Sequence, residues 1–345
     1  MRTFPRIKFS GFLLLSSVLL LAAGCGDFEL QKPRAFGREK EILVICSDSV
    51  WQATEKDLRR AVEVPIHAVR WEPIFEIAQI QPSEVDFYKE WDKIILVESL
   101  ENMSLLPDVV DQEMLEKIAG GQGLFFTNFD IWARGQRVAG LAAPTDAQLV
   151  PLVRLHGHRI YKDFLRQLEE EEKQRMYFSG RNVNLEDSLA SCCGFSLVLP
   201  RVYERIRMDT LARDQLLFVH VDPVRSIFIT WEEGDNLPVL DYSPDSLAAR
   251  RDRLLADVYP DMQTVPGRVD TSTVVVGGLE RLRVYGVWEN LREISGGIYI
   301  SQIIEAPAQR RRYTVDCRLF CPDPRFNKYR YILQLDRIMD SFKVR

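Results

Sequence analysis

Four segments near the end of this 345-residue chain, 272–276, 279–288, 298–306 and 312–320, are rich in β-branched and aromatic residues and have the length of strands. They follow one another across short connections. Strands outnumber helices here and hairpins abound, which fits α+β better than a doubly wound sheet. A hairpin precedes them, 216–221 and 225–231, joined through Asp222-Pro223. Ser243-Pro244 opens a helix to Tyr259, with Ser at the N-cap and Pro at the first helical position. After Pro322 and Pro324, a closing helix sets Tyr331, Leu335, Ile338 and Phe342 on one stripe.

The first half reads differently. An apolar run at 41–46 is strand-like, and Ser49 with Gln52 forms a capping box for a helix through Val62. A second strand covers 92–98. A helix at 107–119 is closed by Gly120 and Gly121, and 124–142 reads as two strands turning near Gly135. Thr145 with Gln148 is another capping box. The helix after it carries Leu149, Val153, Phe164 and Leu168, with Gly157 as an interruption. It ends in an acidic run, Glu169 to Glu172, read as a solvated face. A polar connection at 182–190 separates an N-terminal α/β half, 41–181, from a C-terminal α+β half, 191–345. Both halves close with long strands and a helix, so two similar halves are expected. The fold class is α+β, with mixed or antiparallel sheets covered by helices.

The N-terminus carries an address. Arg2, Arg6 and Lys8 precede an apolar run at 12–23 that is too short to span a bilayer, which takes about 20 residues. A basic start, a short apolar stretch and small residues at its end describe a secretory signal. Leu21-Ala22-Ala23-Gly24-Cys25 resembles a bacterial lipobox, in which the cysteine thiol receives a diacylglyceryl group and the chain is cut before it. Residues 1–24 are then a lipoprotein signal peptide, Cys25 is the lipidation site, and 25–40 is a flexible tether. No later run is long and apolar enough to span.

The charge balance narrows the partners. With 45 basic and 50 acidic residues and no basic block, the chain is a poor nucleic-acid binder. Cleavage removes three basic residues and no acid, so the body carries −8. Attachment must then come from acyl chains rather than from attraction to anionic lipid. Five cysteines remain beside Cys25: Cys46, Cys192, Cys193, Cys317 and Cys321. They lack zinc-site spacing and read mostly as small apolar residues.

Motifs for chemistry are sparse. For His67, His156, His158 and His220 no Asp, Glu or His falls at helical spacing to complete a metal triad, so no metal site and no cofactor are expected. There is no G-x-S-x-G, S-x-x-K or H-E-x-x-H, and Gly120-Gly121-Gln122-Gly123 lacks the Lys and Ser/Thr of a phosphate loop. Two aromatic–polar stretches remain as a candidate ligand or partner surface. Asp130, Trp132, Arg134 and Gln136 alternate onto one face of an expected strand, and Trp288 with Glu289 sits on another.

These stretches carry a resemblance. The sequence is similar to the Bacteroidota-type lipoprotein family known as domain of unknown function 4837. The likeness rests on Cys25, the early strand followed by Trp51, Glu72-Pro73-Ile74-Phe75, Asp130 to Gln136, and Gly286-Val287-Trp288 with Gly296-Gly297. It implies an envelope lipoprotein of unassigned activity and supplies no catalytic residue. The leading expectation is a non-enzymatic binding or assembly factor. It would be membrane-attached through Cys25, with an envelope protein or glycan as partner, on the periplasmic face of the outer membrane rather than on the inner membrane or the cell surface. The alternative is an envelope hydrolase using carboxylates such as Asp130 or Glu289.

Overall fold

A computed structural model describes residues 32–66, 69–70, 72–206 and 214–345. The signal, Cys25, the start of the tether and His67 lie outside the described residues.

The first half builds one mixed sheet. Strand β1 (Glu41–Ile45) leads through helix α1 (Asp48–Val62) to β2 (Glu76–Ile80), and β3 (Lys93–Ser99) follows. Helix α2 (Gln112–Ala119) precedes the hairpin of β4 (Leu124–Phe129) and β5 (Arg137–Ala143), and α3 (Asp146–Arg175) closes the unit. The strand order is β2–β1–β3–β5–β4, with all pairs parallel except β4–β5. Parallel strands are buried on both faces, and the sequence alternates accordingly. Ile42, Val44, Ile95, Val97 and Leu141 meet α1 and α3, while Leu43, Ile45, Ile94, Leu96 and Val138 meet Leu106, Val109 and Ile118.

Three local expectations shift. Ser47, not Ser49, caps α1, its hydroxyl accepting from Val50 N at 3.4 Å. The expected helix at 107–119 breaks at Val110–Asp111, where the Asp111 carboxylate caps α2. Gly157 does not interrupt α3, which runs unbroken for 30 residues. A Cβ there would stand 2.6 Å from Ala61 Cβ, so the glycine lets α3 cross closely over α1.

The expected polar connection contains helix α4 (Val183–Cys193), whose Leu189 and Cys193 are buried and which ends on Gly194 in the left-handed region. Beyond it, β6 (Glu204–Ile206), β7 (Gln215–Val221) and β8 (Val224–Glu233) lead to helix α5 (Pro244–Leu255). Then come β9 (Met262–Val276), β10 (Leu279–Asn290), β11 (Ser295–Ala306), β12 (Arg311–Phe320) and helix α6 (Lys328–Asp340). These seven strands form one antiparallel sheet in the order β9–β10–β11–β12–β8–β7–β6. The expected α+β class holds. The halves are not similar, however: one sheet is mixed and mostly parallel, the other wholly antiparallel.

Helix α6 covers one face of the large sheet with Leu335, Ile338, Met339 and then Phe342. Helix α5 covers the other, where buried Arg251 forms a bidentate pair with Asp316 (2.6 and 3.1 Å) and lies 3.6 Å from the Tyr299 ring centroid. Arg281 donates to Phe342 O just past the C-terminal end of α6, and Arg283 donates to Asp336 and Asp340 on it. Cations there offset the negative end of the helix dipole. Among the described residues no helix is long and apolar enough to cross a membrane.

Candidate functional site

An open groove of about 1370 Å³ runs between the two sheets. One wall comes from the loop after β4, the segment before β1 and the C-terminal end of α3. The other comes from the turn joining β7 to β8, Tyr203 and the start of α6.

The loop at 130–136 is not the expected strand face. Asp130 takes a left-handed backbone (φ 53°), and its Oδ1 accepts from Gly135 N at 2.6 Å. Gln136 is buried; its Oε1 accepts from Trp132 N, and its Nε2 donates to Lys89 O and Trp91 O. Asp and Gln side chains here satisfy the loop's own backbone, an alternative to the ladder that local polar side chains offer. Their polar–aromatic alternation only imitates a strand. Trp132 packs inward against the small-helix side of the sheet.

Residues 32–40 do not form the expected free tether. Arg134 N donates to Pro33 O (2.7 Å), and Ala35 N donates to Arg134 O (2.8 Å). Phe36 meets Trp91 edge to face at 5.9 Å. Glu39 pairs with Arg330 at 3.2 Å, and Lys40 donates to Pro324 O at 2.7 Å. The segment is a strap touching both halves. Its polar composition concealed this, because the strap is held mainly through backbone and charge rather than apolar burial.

The acidic run is likewise not a uniformly solvated face. Glu172 is 1 % exposed and accepts from Arg330 Nε at 2.8 Å and from Gln334. Glu171 pairs with Arg330 at 3.4 Å, and Glu170 with Arg137 at 3.5 Å. On the opposite wall, Arg225 donates to Gln334 and to His220 Nδ1, and lies over the rings of Tyr331 and Tyr203. Burial, then Arg225, lowers the His220 pKa, which favours the neutral ring that Nδ1 needs to accept. Burial pushes the Tyr331 hydroxyl up to about 12. The groove's rim holds exposed aromatics: Phe36 (56 %), Phe129 (60 %) and Phe178 (94 %).

The candidate residues therefore separate. Asp130, Arg134 and Gln136 line the groove. Trp288 is buried on the α5 face of the large sheet, with Arg318 4.8 Å from its ring centroid. Glu289 accepts from Gln263 at 3.0 Å and does not line the groove. Reading the sequence missed Glu39, Glu172, Tyr203, Arg225 and Arg330, which meet only because α6 returns to α3. Among the described residues no group of three or more metal-ligating side chains converges.

Residues 35–177 match the model of a family described as Domain of unknown function (DUF8532). The match runs from the strap to just past α3, so it covers the mixed-sheet half. This corrects the resemblance to domain of unknown function 4837. The motifs behind that resemblance are short, Asp130–Gln136 is a self-closing loop, and Gly286-Val287-Trp288 lies outside the matched residues. No curated protein matches the chain by sequence.

Among solved structures, the chain is similar to the Saccharomyces cerevisiae Ran-binding protein Mog1p. The identity is 11 %, over 44 % of this chain and 90 % of that one, with a TM-score of 0.31. It is also similar to Mycobacterium tuberculosis LpqN, described as involved in cell envelope biogenesis (15 %, over 42 % and 79 %, TM-score 0.28). A Bacteroides thetaiotaomicron protein gives 13 %, over 44 % and 45 %, with a TM-score of 0.25. At these scores the likenesses carry nothing about activity.

Proposed function

We propose that the protein is a lipid-anchored cell-envelope binding or assembly factor that holds an envelope protein or glycan in the groove between its sheets. The groove carries this reading: it is open, sizeable and rimmed by exposed phenylalanines, and an exposed aromatic rim is a feature of binding surfaces. The acids Glu39, Glu171 and Glu172 that line it each face an arginine. The hydrolase alternative gains no support, because Asp130 and Glu289 lie apart. The envelope location rests on the basic start, the short apolar run and Ala22-Ala23-Gly24-Cys25. The same sequence favours the periplasmic face of the outer membrane, since Gly26 rather than Asp follows the cysteine.

Two measurements test this. Mass analysis of the purified N-terminus is expected to show diacylglyceryl-modified Cys25 as the first residue; an unmodified Cys25 or another cleavage point overturns the anchor. Photo-crosslinking residues placed at Gln174 and Val202 in the groove, in intact cells, are expected to capture one partner that the same residue at Leu155 does not. Identical adducts at all three positions would remove the groove as the binding site.

A further inference from the structure

Lys32 is the first described residue, and it is held at the groove: its Nζ donates to Asp130 O at 2.6 Å, and its carbonyl accepts from Arg134 Nε at 3.1 Å. It lies seven residue steps from Cys25, with six residues between them. A fully extended chain of that length reaches about 25 Å. The groove mouth is therefore tied within about 25 Å of acyl chains on Cys25, less than the length of α3, whose 30 residues run about 45 Å.

The same mouth presents Phe36, Phe129 and Phe178 to solvent. Single exposed apolar residues are ordinary. Three large rings around one opening, close to the point where an anchor enters, call for a covering surface. Exposed Lys32, Arg34, Arg134 and Arg175 stand among them. Three acids there have cations beside them, Glu170 facing Arg137, Glu171 facing Arg330, and Glu39 facing Arg175 and Arg330, while Asp130 and Asp222 line the same groove. Aromatic rings flanked by cations suit the boundary between lipid tails and phosphate headgroups.

We propose that the groove mouth lies against the bilayer that carries the anchor, with Phe36, Phe129 and Phe178 at the lipid interface and the neighbouring arginines at the level of the phosphates. The acyl chains supply attachment, and the rim sets orientation. A ligand then enters the groove from the membrane surface rather than from the aqueous side. The proposal rests on the lipid-anchor reading above.

The test uses the full chain, processed in cells, purified and reconstituted into vesicles of phosphatidylethanolamine and phosphatidylglycerol. A benzophenone-bearing phenylalanine replaces Phe129 or Phe178, and Leu155 or Val239 as controls; all four positions are exposed, so the fold is kept. Leu155 lies about 30 Å back along α3 from Arg175, and Val239 sits beside Pro238 at the far end of the large sheet. Lipid adducts at 129 and 178 are expected at about ten times the control yield, as insertion of the rings into the interface requires. Equal yields at all four positions, on protein whose N-terminal mass shows the lipid, would overturn the orientation and leave the anchor standing. Protein whose N-terminal mass lacks the lipid would overturn the anchor and the orientation with it.

Discussion

Arg330 and Glu172, 158 positions apart in the chain, meet at 2.8 Å at the seam between the two sheets, with Glu172 almost wholly withdrawn from water. The arginine sits on α6, whose apolar stripe belongs to the large sheet, and the glutamate on α3, whose apolar stripe belongs to the small one. One helix thus serves the antiparallel core through its apolar face and the mixed half through its charged face.

Breaking such a pair leaves a buried charge without compensation, which costs about 3–5 kcal/mol. Arg330→Met, which leaves buried Glu172 only the neutral Gln334 amide, is expected to lower stability by that amount, read as the urea midpoint at constant slope, and Glu172→Ala by less, because Arg330 keeps Glu39 and Glu171. Arg330→Met added to Glu172→Ala is expected to cost less than Arg330→Met alone. Simple additivity would show that the two side chains are not coupled.

Asp336, also on α6, makes stability depend on pH. Burial raises its carboxyl to about 6; Arg283 opposes the rise and Asp340 adds to it. Between about pH 4 and 6 the folded chain holds this proton while the unfolded chain has lost it, so stability falls as pH rises through that window and is level above it. Asp336→Asn is expected to remove the fall, about 1–3 kcal/mol, so its midpoint gains on wild type between pH 4 and 6. A constant difference across that window would contradict the assignment.

Gly157 is set by the crossing of α3 over α1. Helix propensity alone favours Ala there by about 1 kcal/mol. The 2.6 Å approach to Ala61 opposes it, and overpacking costs about 1–3 kcal/mol. Gly157→Ala is expected to destabilise, and Ala61→Gly in the same chain to recover part of the loss. A stabilised Gly157→Ala would mean the helices separate without cost.

The strap offers a truncation. A chain beginning at Arg38 keeps Glu39 and Lys40 but loses four backbone bonds, two with Arg134 and those of Phe36 with Glu90 and Asp92, and the Phe36–Trp91 contact. At about 1 kcal/mol per net hydrogen bond and about 0.5–1.5 for the ring pair, the loss is expected to be about 4–6 kcal/mol, with cooperative unfolding retained. An unchanged melting transition would return residues 32–37 to the status of a tether.

The strands of the large sheet other than β6, with only the last five residues of β9, the stripe on α6 and the Ser243-Pro244 helix start could be read from the chain, because each depends on neighbours two to four residues away. Alternation sets a strand's buried face, and a cap needs only its own first turn. The groove was not legible. Asp130, Arg134 and Gln136 were singled out for the wrong geometry, since a self-closing loop and a half-exposed strand share one pattern of residues. Glu39, Glu172, Tyr203, Arg225 and Arg330 carry no local signal at all. Whether an acid such as Glu172 is solvated or buried depends on which cation arrives opposite it, and here that cation comes from a helix more than 150 residues away. Only the packing of α6 across both halves decided that, and with it the groove's walls and the path of the strap.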